Sequence, residues 1–315
     1  MTTATANIVD RFGRVHDYLR ISLTERCNLR CFYCMPENGI QLRDKAEFMT
    51  SEELLTIAKA FVEMGIKKIR LTGGEPLIKK NAHHIIEELG KLPVELSITT
   101  NAVIVDQFID SFKRAGIRSV NVSLDSLDKD TIDLVTRRNY GQRIMDNIDL
   151  LIQNGFTVKI NAVIIKGVND REIISFIEWT KFKDVSIRFI EFMPFDGNKW
   201  NMQKMISHKQ IMQLAYTHFS QKKVVSLSPK QNDTSKNYQV KGYLGTFGII
   251  SPVTNPFCDT CNRIRLTADG KIKNCLFSAS ESDLLFQLRQ GKEIKTTIEK
   301  SMLSKSSIRH RFIYR

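Results

Sequence analysis

Residues 18–34 read Tyr18-Leu19-Arg20-Ile21-Ser22-Leu23-Thr24-Glu25-Arg26-Cys27-Asn28-Leu29-Arg30-Cys31-Phe32-Tyr33-Cys34. The first half alternates: in an extended chain Arg20, Ser22 and Thr24 share one face, and Ile21 and Leu23 the other. The second half is a cysteine cluster, Cys27-x3-Cys31-x2-Cys34. A strand that runs straight into three thiols puts metal-binding chemistry at its carboxyl end. The remaining cysteines form a second triplet, Cys258-x2-Cys261-x13-Cys275. Three thiolates are one short of a closed tetrahedral zinc site. A cubane iron–sulfur cluster on three cysteines instead keeps one iron open to a small molecule. Zinc stays open as a reading of the second triplet, since CxxC followed by a distant Cys is common in zinc ribbons. Nothing at the amino terminus reads as a secretory signal, so reduced thiols are expected rather than disulfides.

Working outward, strand-like runs occur at 18–23, 67–72, 94–100, 118–124, 157–164 and 185–192. Helical patterns separate them, for example 51–64, with Thr50 or Ser51 as N-cap ahead of Glu52 and Glu53. Gly65, Gly90, Gly116 and Gly155 stand where such helices should stop. Repeated βα units imply an α/β fold with a parallel sheet. Six units fit an open, partial (βα)6 barrel better than the closed eight-unit form. Past residue 200 the rhythm breaks: 228–237 is polar and loop-like, and Asp269-Gly270 predicts a hairpin turn between 263–267 and 271–276. The expected division is a barrel over 1–225 and a smaller carboxy-terminal module, bearing the second triplet, over 226–315.

Parallel strands covered on both faces usually read as continuous apolar runs. Several here alternate. Lys68, Arg70 and Thr72 oppose Ile69 and Leu71, and Lys159 and Asn161 oppose Val158 and Ile160. One face of the sheet therefore carries cations, either as a polar lumen that holds an anionic ligand or as a solvated edge. The strand ends carry Gly73-Gly74-Glu75-Pro76, Thr99-Thr100-Asn101, Ser123-Leu124-Asp125 and Glu191-Phe192-Met193-Pro194. Ligand sites of barrels collect at these ends.

Composition bounds the function. With 42% hydrophobic and 26% charged residues the chain reads as folded and soluble, and no apolar run approaches the roughly 18 residues of a membrane span. The expectation is a cytoplasmic protein with no membrane partner. A net charge of +13 favours an anionic partner. A nucleic-acid binder would interleave aromatic with basic residues; outside 309–315 there is little of that, so nucleic acid is not expected.

The Cys27–Cys31–Cys34 spacing followed by Gly73-Gly74-Glu75-Pro76 resembles the signature of the radical S-adenosylmethionine (SAM) enzymes. A longer stretch, Phe257-Cys258-Asp259-Thr260-Cys261-Asn262-Arg263-Ile264-Arg265-Leu266-Thr267-Ala268-Asp269-Gly270-Lys271 with Cys275-Leu276-Phe277, is similar to the GTP 3′,8-cyclase family, and the likeness runs from about residue 10 to about residue 290. The resemblance implies a lyase that cyclises GTP to 3′,8-cyclo-7,8-dihydro-GTP by ribose hydrogen abstraction and attack on purine C8, opening molybdopterin biosynthesis. It implies two 4Fe-4S clusters, one on Cys27, Cys31 and Cys34 and an auxiliary one on Cys258, Cys261 and Cys275. It implies SAM contacts from Tyr33, Gly74, Ser123 and Met193, and GTP contacts from Arg20, Arg70, Thr99, Lys159, Arg263 and Arg265. Implied partners are a reductant such as flavodoxin or ferredoxin and a downstream cyclic pyranopterin monophosphate synthase; a homodimer is compatible with it. The alternative is a radical SAM maturase acting on a peptide or another nucleotide. One departure stands out: family members end in two glycines, whereas this chain ends Ile308-Arg309-His310-Arg311-Phe312-Ile313-Tyr314-Arg315, which predicts impaired cyclisation.

Overall fold

Six parallel strands follow one another in both sequence and space: β1 (Tyr18–Ser22), β2 (Lys68–Thr72), β3 (Glu95–Thr100), β4 (Ser119–Ser123), β5 (Thr157–Ile164) and β6 (Val185–Glu191). The computed structural model describes residues 7–36, 38–41, 43–194, 198, 200–229, 231–278 and 281–307. The 308–315 tail, including the bulky ending, lies outside the described residues. Helices return the chain between strands: α1 (Ser51–Glu63), α2 (Ala82–Gly90), α3 (Ile109–Arg114), α4 (Lys129–Thr136) with α5 (Gly141–Gln153), and α6 (Ile173–Trp179). The expected strand boundaries agree to within one residue. Thr50, not Ser51, caps α1: its hydroxyl accepts from the Glu53 amide at 3.2 Å while the Glu53 carboxylate accepts from the Thr50 amide at 2.8 Å. Gly65, Gly116 and Gly155 end their helices at positive φ. Gly90 serves differently, because a Cβ there would come 2.6 Å from the Ala115 Cα, so its task is close helix packing.

The barrel stays open, and later strands line both of its edges. After α7 (His208–Phe219) come β7 (Val224–Ser226), β8 (Lys236–Val240), β9 (Thr246–Ile250), β10 (Arg263–Leu266), β11 (Lys271–Lys273) and β12 (Ser282–Asp283), then α8 (Leu284–Arg289) and α9 (Lys295–Leu303). The sheet order is β12-β11-β10-β1-β2-β3-β4-β5-β6-β9-β8-β7, with β10 parallel to β1 and β9 parallel to β6. The hairpin around Asp269-Gly270 forms as expected, with Gly270 at φ 73°. The loop at 228–237 is shorter than expected, since Lys236 and Asn237 already pair with β9. Among the described residues no helix is long and apolar enough to cross a membrane.

The core lies between the apolar face of the sheet and the helices. Leu19, Ile21, Ile69, Leu71, Ile98, Val122 and Ile160 are fully or almost fully buried there with Phe61, Phe112 and Phe176. The other face is the polar lumen. Glu191, fully buried at the end of β6, ties the barrel to the segment after β9: its carboxylate accepts from the amides of Val253 and Thr254 at 3.0 Å each, from the Thr254 hydroxyl, and from the His208 amide at 3.3 Å. Removing it takes the shared buried acceptor from four donors on two segments, so Glu191→Ala should lose roughly 2–4 kcal/mol of stability in urea unfolding. A loss under about 0.5 kcal/mol would mean that water replaces the carboxylate.

Candidate active site

Two loops meet at the carboxyl ends of β1 and β2 and continue the strand pairing beyond the sheet. Leu23 donates to the Thr72 carbonyl at 2.9 Å, Gly74 to the Thr24 carbonyl at 2.7 Å and Glu75 to the Arg26 carbonyl at 2.8 Å. A Cβ at Gly74 would stand 2.1 Å from the Arg26 oxygen, so only glycine lets the loops close to this distance. The approach fixes the cysteine loop, which is also pinned at its far side: Arg30 and Phe32 donate to the Thr136 and Val135 carbonyls at the end of α4, at 2.9 and 3.1 Å.

Around the first triplet the polar groups are ordered. The Leu29 amide donates to Cys27 Sγ at 3.4 Å, and Asn101 reaches Cys27 Sγ at 3.8 Å and Asn28 Oδ1 at 2.7 Å. Glu75, 1% exposed, accepts from Leu77, Thr100 and Asn101; burial raises its carboxyl to about 7 against those three bonds. Tyr33 donates to Asp125 at 2.5 Å, and Asp125 also accepts from the Val163 amide at 2.8 Å. Gly74, Ser123 and Met193 come from the ends of β2, β4 and β6, so with Tyr33 the expected SAM set shares the carboxyl rim.

All six cysteines are free thiols. Burial pushes those of Cys27, Cys31 and Cys34 up, and the Asp125 charge adds to this at Cys31 and Cys34. Such thiols ionise only when a cation draws off their protons. Among the described residues no three Cys, His, Asp or Glu side chains gather as tightly as a lone metal ion needs. A cubane cluster draws each thiolate to a different iron, and the three-thiol donor set fits that demand. The second triplet differs electrically: burial opposes the Cys261 thiolate, but Arg263 and Lys305 more than offset it and bring the thiol down to about 7.

The triplets sit at opposite ends of the strands. Cys27 follows β1, while Cys261 precedes β10, and the two strands are parallel. Between them the lumen face presents cations in register. Arg265, Arg20, Arg70 and Ser97 pair across β10, β1, β2 and β3; Thr99, Asn121, Lys159 and Ser186 pair across β3 to β6. Arg263 pairs with Tyr18 one step nearer the amino ends. The fold thus brings the expected GTP residues onto one surface. It adds Arg188, which faces the lumen opposite Asn161; the alternation of Ser186 and Arg188 with Ile187 and Phe189 was the signal for it.

None of Arg20, Arg70, Lys159, Arg188, Arg263 and Arg265 forms an ion pair among the described residues, where the nearby Lys68 pairs with Glu95. Arg20, Arg70 and Lys68 lie 5.4, 5.5 and 5.6 Å from the Tyr18 ring centre. Burial and neighbouring cations disfavour the charge on Arg70 and Arg265 and lower Lys159 to about 8. Five buried polar atoms on this face, Tyr18 OH, Arg20 Nε, Ser119 Oγ, Asn161 Oδ1 and Arg188 Nε, have no hydrogen-bond partner among the described residues. Buried polar groups are normally satisfied, so a surface with crowded cations and orphaned donors is built for an anion. A cavity of about 1150 Å³ opens at the amino ends of β1 and β2, lined by Arg14, Asp17, Lys67, Tyr238, Phe257 and Cys261 among others, and none of the six lumen cations lines it.

Comparison with known proteins gives the lineage. Residues 21–180 match the Radical SAM superfamily and residues 185–311 match Molybdenum Cofactor Synthesis C. A Drosophila melanogaster protein named molybdenum cofactor biosynthesis protein 1 is 44% identical over 94% of this chain and 52% of its own length. A Listeria welshimeri GTP 3′,8-cyclase is 41% identical over 94% of this chain and 90% of its own. The chain spans about half the length of the fly, slime-mould and bovine relatives it matches. The structure of Streptococcus suis SuiB bound to S-adenosylmethionine covers 93% of this chain and 69% of its own at a TM-score of 0.67 and 14% identity, a likeness of fold. The chain belongs to the radical SAM superfamily and, within it, to the family that includes the GTP 3′,8-cyclases.

Proposed function

We propose that the chain cyclises GTP to 3′,8-cyclo-7,8-dihydro-GTP, the opening step of molybdopterin synthesis. The observation that carries this reading is the set of lumen cations, in register and without ion-pair partners among the described residues, between two thiol triplets. Triphosphate is the anion such a surface suits, since arginine and lysine give it strong charge-assisted bonds. The names of the relatives support the same substrate.

A 4Fe-4S cluster on Cys27, Cys31 and Cys34, with SAM at its open iron, would supply the electron and the 5′-deoxyadenosyl group for radical chemistry. The chain's own residues do the rest. Gly73 and Gly74 keep side chains out of the rim, and Tyr33, Gly74, Ser123 and Met193 are the proposed SAM contacts. Asp125 orients Tyr33. Arg20, Arg70, Thr99, Lys159, Arg263 and Arg265 are the proposed GTP contacts, with Arg188 beside them. Cys258, Cys261 and Cys275 would hold a second 4Fe-4S cluster, which would supply an open iron for the substrate base. In this reading residues 1–225 generate the radical and 226–315 seat the base. A flavodoxin- or ferredoxin-type reductant would supply electrons, and a cyclic pyranopterin monophosphate synthase would take the product.

The two triplets should separate by mutation. Cys27→Ala is expected to abolish SAM cleavage, whereas Cys258→Ala should retain some SAM cleavage and lose the cyclised nucleotide, both followed by chromatography of anaerobic reactions. Undiminished cyclisation by the Cys258 variant would make the second triplet merely structural.

Neutralising Arg20, Arg70 or Lys159 should weaken GTP binding about 10- to 150-fold, the worth of a charged hydrogen bond, while SAM binding holds. Unchanged GTP affinity in all three variants would return the lumen to a peptide substrate.

Lys159 adds a pH dependence. Burial, with Arg188 and Arg70 nearby, holds its ammonium down to about 8. Only the protonated form attracts phosphate, so affinity for inorganic tripolyphosphate should fall as pH rises through about 8. Lys159→Arg keeps its charge there and should lose less affinity between about pH 7 and about pH 9 by calorimetry. The same slope in both chains would remove Lys159 from the cradle.

A further inference from the structure

The segment that follows α9 lies against the second thiol triplet and is tied to each of its three cysteine positions. Lys305, 3% exposed, donates from Nζ to Cys261 Sγ at 3.6 Å and to the Arg263 carbonyl at 3.1 Å. Arg14 donates to the Cys258 carbonyl at 2.8 Å and to the Ser306 and Ser307 carbonyls at 2.9 Å each. Asn274, the neighbour of Cys275, donates to the Ser301 carbonyl at 2.8 Å and the Ser304 hydroxyl at 3.2 Å.

An ammonium this deeply buried needs an anion. The buried carboxylate bonded to Arg14 is engaged elsewhere: Asp10 accepts from Arg14 Nε at 2.6 Å and is bonded to the buried His16 at 2.9 Å. Among the described residues no carboxylate forms an ion pair with Lys305. The sulfur of Cys261 is, among the described residues, the one titratable group to which the Lys305 Nζ is hydrogen-bonded.

We propose that Lys305 is a positioning residue for the iron–sulfur group on Cys258, Cys261 and Cys275, and that its ammonium on the Cys261 sulfur makes that group easier to reduce. The inference rests on the reading of the second triplet as a cluster site. The physical ground is general: reduction adds negative charge to a cluster, and hydrogen bonds to its sulfurs stabilise the added charge. The first triplet has amide donors, from Leu29 and Asn101, but no comparable buried ammonium among the described contacts to its sulfurs.

The test uses the reconstituted full chain, with iron content per chain and the midpoint potentials of both clusters followed by electron paramagnetic resonance. Lys305→Met keeps the length and apolar stem and removes the charge. It should lower the reduction equilibrium of the second cluster roughly tenfold, about 59 mV for a one-electron couple, and leave the first cluster unmoved. Lys305→Arg should restore most of the shift. A second-cluster potential in Lys305→Met equal to that of the parent, or a parallel shift of both clusters, overturns the proposal. Loss of the second cluster in Lys305→Met with retention in Lys305→Arg upholds it, because charge is what differs. Loss in both would show that the segment acts by shape and would overturn it. A parent chain that loads iron at the first triplet alone would instead sink the cluster reading of the second triplet, and Lys305's role with it.

Discussion

The parallel pairing of β10 with β1 is the constraint on which the site depends. It sets Arg263 beside Tyr18 and Arg265 beside Arg20, and it puts the second triplet at the opposite strand ends from the first. Side chains on a strand alternate, so a slip of one residue would turn both arginines onto the apolar face and push Ile264 and Leu266 into the lumen. Those two residues are fully or nearly fully buried, and the Tyr18 amide donates to the Asn262 carbonyl at 3.3 Å just before the pairing begins. Hydrophobic burial on one face therefore fixes the electrostatics of the other.

That division of labour explains how the chain tolerates so much like charge. Buried cations without partners destabilise a fold, and here the opposing aliphatic face and its helices supply the compensating burial. The Tyr18 ring relieves part of the repulsion by offering its π face to three cations. Lysine at position 159 is the electrically soft member of the set, since a guanidinium holds its proton where an ammonium can release it.

Much of this was legible in the sequence. The six strands, their alternation and the two thiol triplets all leave local signatures, and the cations at Arg20, Arg70 and Lys159 follow from strand parity alone. Arg188 could have been found the same way. The partners of the edges could not. That β9 adds to β6 and β10 to β1 depends on pairings across wide sequence separation, for which neither strand carries a local mark. Glu191 reads as one more strand-end carboxylate until its four donors are seen. Lys305 is a lone lysine in a polar stretch, and only the folded chain brings it to Cys261. Gly90, in the sequence an ordinary helix stop, proves to be a contact with Ala115.

The same β1–β10 pairing has a consequence in time. β1 is made before the other strands of this sheet, yet one of its two neighbours ends at Leu266. Until Leu266 has been made, β1 therefore presents an unpaired row of amides and carbonyls on one side, the kind of edge that recruits foreign strands. Arg20, on that strand, puts a charge there that discourages such pairing. A residue read as part of a binding surface in the finished protein thus doubles as a guard of the nascent one.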